Sequence, residues 1–61
     1  MTKQEIKAAV LETLQKVEPV EELPAFVRAI KMQTLFRLMI GEITKETADI
    51  ILETIKEFYG E

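Results

Sequence analysis

Apolar positions recur along this chain at helical spacing, in three stretches separated by punctuation. In the first, Ile6, Ala9, Val10, Leu14 and Val17 share one face, with Thr13 among them and Leu11 at its margin. Thr2 followed by Glu5 has the form of a capping box, so a helix is predicted over residues 3–17. Pro19 ends it, because the residue before a proline is pushed out of helical geometry. A connector, Glu18-Pro19-Val20-Glu21-Glu22-Leu23, follows, with room for one short turn.

Pro24 suits the first turn of a second helix, where its missing N–H costs nothing, and that helix is predicted over residues 24–40. Gly41 is a natural C-cap. Thr44 then caps a third helix over residues 45–59, with Glu46 in its first turn and Ile43 placed to staple onto Ala48. This third stretch is the cleanest pattern in the chain. Ala48, Ile51, Leu52, Ile55, Phe58 and Tyr59 lie on one side and Glu42, Glu46, Asp49, Glu53 and Glu57 on the other. The fold class expected is all-α, one three-helix domain spanning residues 1–61.

The second helix departs from this tidiness. At about 100° per residue it has no single apolar face. Leu23, Phe26, Val27 and Ile30 cover one side of its first half, while Met32, Leu35, Phe36, Met39 and Ile40 cover largely the other side of its second half. A helix apolar nearly all round is normally covered from several directions. Two flanking helices of about 15 residues fall short of covering it, so the pattern predicts a homodimer or slightly higher oligomer. The interface residues expected are Phe26, Ile30, Met32, Leu35, Phe36 and Met39. A bundle complete as a monomer and a groove for another protein's helix are the competing readings. Met32 and Met39, one heptad apart, could be adaptable contacts or ordinary core filling.

Charge adds a second layer. The chain has 8 Lys and Arg against 11 Asp and Glu, a formal charge of -3. Residues 23–41 carry Arg28, Lys31 and Arg37 with no acid, whereas the flanking segments are net acidic. Glu46, Asp49 and Glu53 could dock a basic partner, including Arg28, Lys31 or Arg37 of a second subunit, or simply keep the surface solvated. The basic residues also support an alternative, a small dimeric nucleic-acid-binding regulator working through the central helix. The overall acidity and the acids on the third helix count against it.

Candidate chemistry is sparse. The chain holds no Cys and no His, which excludes thiol nucleophiles, imidazole acid–base catalysis and zinc sites built from those ligands. Ser is absent too, and the threonines have no usual base beside them. The carboxylates of the third helix point away from its apolar side, and two glycines make no phosphate loop. No enzymatic activity, cofactor or metal is therefore expected. Apolar runs are far shorter than the roughly 20 residues of a membrane span. Met1-Thr2-Lys3-Gln4-Glu5 opens a polar helix and not a secretory segment, so the expected location is cytoplasmic.

Leu35, Leu38, Gly41, Ile43, Thr44, Glu46, Ala48, Leu52 and Ile55 form a further pattern: apolar helix, glycine turn, Ile-Thr, then a Glu- and Ala-containing helix. It resembles the short helical hairpins of the bacterial SHOCT-like type. The resemblance covers about a third of the chain and implies a non-catalytic module for oligomerisation or protein contacts. Together these features predict a small regulatory or adaptor protein whose partner is itself, or another protein.

Overall fold

Three helices form where the caps and apolar spacing place them. A computed structural model of the chain describes residues 1–60, with α1 at Lys3–Gln15, α2 at Leu23–Met39 and α3 at Lys45–Tyr59. A single 3₁₀ turn, Val20–Glu22, leads into α2. No strand occurs among the described residues. The architecture is all-α.

At the start of α1 the capping box is complete. Glu5 N–H donates to Thr2 Oγ1 at 3.2 Å, and Thr2 N–H donates to Glu5 Oε1 at 2.9 Å. The bond from the Thr2 backbone, with a smaller contribution from its side chain, holds the Glu5 carboxyl below its ordinary value. A depressed carboxyl stabilises the fold above its unfolded value and loses that contribution as pH falls through the folded one. Acid therefore loosens the first turn of α1. NMR titration should find Glu5 titrating low, with Thr2 and Glu5 amide protection lost over the same range. An ordinary Glu5 titration would contradict the cap.

α1 stops two residues short of the expected Val17. Lys16 N–H bonds to Thr13 O at 3.3 Å and Val17 N–H to Leu14 O at 3.5 Å, three-residue bonds that tighten the last turn ahead of Pro19. α2 runs one residue earlier at each end than the pattern suggested, starting at Leu23 with Pro24 in its first turn.

Its end at Met39 is a Schellman motif: Gly41 N–H reaches Leu38 O at 3.1 Å and Glu42 N–H reaches Arg37 O at 2.8 Å. Gly41 sits at φ +78 with open space where a Cβ would lie. Gly41→Ala therefore meets no clash, only the left-handed backbone penalty, and should cost about 1 kcal/mol. Urea denaturation reads this directly, and an unchanged midpoint would contradict it.

The packing order differs from the chain order. α2 is central in sequence, but α3 is central in space: α1 and α2 each pack along α3 and touch each other little. Half of the fully buried side chains accordingly come from α3, namely Ala48, Ile50, Thr54 and Ile55. Leu14 of α1, Val27 of α2 and Ile55 form the core, with Val10, Leu23, Phe26, Ile30, Ile51 and Tyr59 packed against it.

Two core positions are threonines. Thr34 Oγ1 donates to Ile30 O at 2.8 Å and Thr54 Oγ1 to Ile50 O at 2.7 Å, so each hydroxyl is satisfied within its own helix while its methyl packs. No buried side-chain polar atom among the described residues lacks a partner. Phe58, placed on the apolar side of α3 by its spacing, remains exposed.

Candidate docking surface on the second helix

Because only α3 covers α2 along its length, α2 buries one side and leaves the other uncovered. Val27 and Thr34 are buried and Leu23, Ile30 and Leu38 half-buried, all on the inward side. On the outward side Ala25, Ala29, Met32, Phe36 and Met39 are exposed, separated by four, three, four and three residues. Met39 is 83% exposed, Met32 68% and Phe36 59%. Leu35 and Ile40 are exposed on either flank of this stripe. Large apolar side chains in one continuous row on a solvent-facing helix are unusual, and such patches mark interaction surfaces.

The six residues expected at an interface thus fall into two groups. Met32, Leu35, Phe36 and Met39 lie on or beside the outward stripe. Phe26 and Ile30 are half-buried and pack against the core. They also line a groove of about 330 Å³ between α1 and α2, floored by Val10 and Ile51. Toward the connector the groove continues, through Thr13 and Phe26, into a wider depression of about 590 Å³ edged by Lys16, Glu18 and Glu22. Ala25 and Ala29, which the sequence pattern did not single out, stand where the stripe meets these depressions: Ala25 lines the wider one and Ala29 the groove. Their heptad spacing from Met32 and Phe36 is the signal that would have found them.

The charged residues do not converge. Arg28 is exposed at the edge of the stripe and Lys31 is half-buried beside Val27. Arg37 lies nine residues on from Arg28, half a turn around the helix, at the end of the groove. Its Nε stands 4.0 Å from Glu42 Oε2, a loose surface pair of little energetic weight. Glu46, Asp49 and Glu53 are exposed on α3, and none takes part in an ion pair among the described residues. Glu57, further along the same face, pairs with Lys7 of α1 at 3.2 Å.

Among the described residues no group of three or more acids is placed to hold a metal ion, and no helix is long and apolar enough to cross a membrane. The geometry offers an apolar contact surface and an open groove. No protein-family model matches the chain, and neither a curated protein nor a solved structure does. The residues of the SHOCT-like pattern form the last turns of α2, the glycine turn and the first three turns of α3.

Proposed function

We propose that this chain is a small non-catalytic protein–protein interaction and oligomerisation module, a cytoplasmic regulatory or adaptor protein that associates with itself through the outward face of α2. The observation that carries this reading is the row Met32, Phe36 and Met39, exposed together with Leu35 and Ile40 on a helix whose other side is packed. Exposing these side chains to water costs free energy that a second surface would recover, at about 25 cal/mol for each Å² covered. The likeness of residues 35–55 to SHOCT-like hairpins supports the same reading.

The nucleic-acid alternative draws less support. Arg28 and Arg37 emerge on opposite sides of α2, so pairing two copies does not gather the basic residues into one phosphate-facing strip. Size-exclusion chromatography with light scattering, run as a dilution series, tests the proposal. A dimer mass in the tens of micromolar, falling toward the monomer on dilution, is expected. One-chain mass at every concentration would contradict it, and tight duplex DNA binding at low salt would favour the alternative.

A further inference from the structure

We propose that two copies pair antiparallel through α2, about a two-fold axis passing at the level of Ile30 and Lys31, so that the two inner layers of the seam each set an alanine of one copy against a large side chain of the other, with Met39 at the rim. This geometry rests on the self-association reading above and specifies it.

The stripe Ala25, Ala29, Met32, Phe36 and Met39 has the four–three alternation of a coiled-coil seam. Its residue sizes are polarised: alanines occupy the N-terminal half and Met, Phe and Met the C-terminal half. Parallel pairing would stack alanine on alanine at one end and phenylalanine on phenylalanine at the other, giving a gap and an overfilled layer. Antiparallel pairing about the middle of α2 brings Ala25 opposite the second copy's Phe36 and Ala29 opposite the second copy's Met32. The two-fold axis then repeats both layers. Alternating small and large residues across facing positions is how helices interdigitate at native density. A two-fold contact also requires a surface complementary to itself, which this size gradient provides.

The available area fits this occupant. Met32, Leu35, Phe36, Met39 and Ile40, at the exposures the chain gives them, present on the order of 600 Å² if a large side chain spans roughly 200 Å². Ala25, Ala29 and the stem of Arg28 bring one side toward the roughly 800 Å² per partner of a standard interface.

Charge sets a sign. α2 carries three basic residues and no acid, with Lys31 and Arg37 off the seam, so the two helices repel weakly through solvent and added salt strengthens the pairing. Docking of α2 onto the acidic face of α3 in a second copy would instead weaken with salt.

Size exchange tests the register. Ala29→Met adds apolar surface yet overfills its layer, and should weaken self-association about tenfold. Combining it with Met32→Ala restores the layer and should return the affinity to within about threefold of the original. Strengthening by Ala29→Met alone would overturn the proposal. Because the chain has no Cys, introduced thiols report direction without interference. An oxidised mixture of Ala25→Cys and Phe36→Cys chains should join residue 25 of one copy to residue 36 of the other. Residue 25 joined to 25 and 36 to 36, in a chain that still sediments as a dimer, would overturn the register alone. A chain that sediments as a monomer throughout would remove the self-association reading with it.

Discussion

Phe36→Glu should abolish self-association and leave the fold of the single chain intact. Phe36 is 59% exposed, so no core layer loses packing when the ring is removed, and an exposed glutamate suits a helix about as well as phenylalanine does. In the dimer, each copy would instead place a carboxylate against apolar side chains. Losing a buried aromatic anchor from an interface costs about 2–4 kcal/mol, and the two-fold axis applies it twice. Dimerisation should therefore weaken by at least about a thousandfold, since each 1.4 kcal/mol is tenfold. The variant should keep full helical circular dichroism, and its thermal midpoint should no longer depend on concentration, whereas the parent's should rise with it. A Phe36→Glu chain with unchanged mass in solution would show that the outward stripe is not the contact.

Ile55→Ala should produce the opposite pairing of effects. Ile55 has 0% exposure and joins the core contributions of all three helices, with Leu14 on α1 and Val27 on α2. Such truncations cost about 2–5 kcal/mol. A chain of 61 residues has a total stability of only about 3–9 kcal/mol at the usual per-residue value. The substitution should therefore remove about half of the total stability, lowering the urea and thermal midpoints sharply, with helical signal and association lost together at the new midpoint. An unfolding free energy within about 1 kcal/mol of the parent's, read from urea denaturation, would contradict the placement of Ile55 at the junction of the three helices.

The contrast between these two positions also shows what the sequence could and could not convey. Helix existence was legible, and helix ends to within two residues, because they are local chemistry: Thr2 with Glu5, Pro24, Gly41 and Thr44 act within one turn of themselves. The absence of a single apolar face on α2 was legible as well, and it pointed to uncovered surface on this helix. Which helix occupies the middle was not.

That depends on α3 burying two sides, and its second side is completed by Ile50 and Thr54. The hydroxyl of Thr54 makes it look solvent-facing until its bond to the Ile50 carbonyl is seen. The same effect hides Thr34 on α2. With α3 in the centre, Phe26 and Ile30 turn toward the core and the groove, while Met32, Leu35, Phe36 and Met39 stay outside. The even spacing of apolar residues around α2 could not divide these six between two surfaces, because both surfaces are apolar and only tertiary packing separates them. Ala25 and Ala29 were passed over for a simpler reason: alanine carries too little apolar area to stand out on a wheel. Its small size matters only once a partner surface is considered.

Sedimentation equilibrium of the unmodified chain, over concentrations from low to high micromolar and at two salt concentrations, reads self-association through α2 without any substitution. The mass should approach about 14 kDa, twice the 7.0 kDa of one chain, with the dimer favoured at the higher salt. A mass of 7.0 kDa at every concentration and both salt conditions would contradict it.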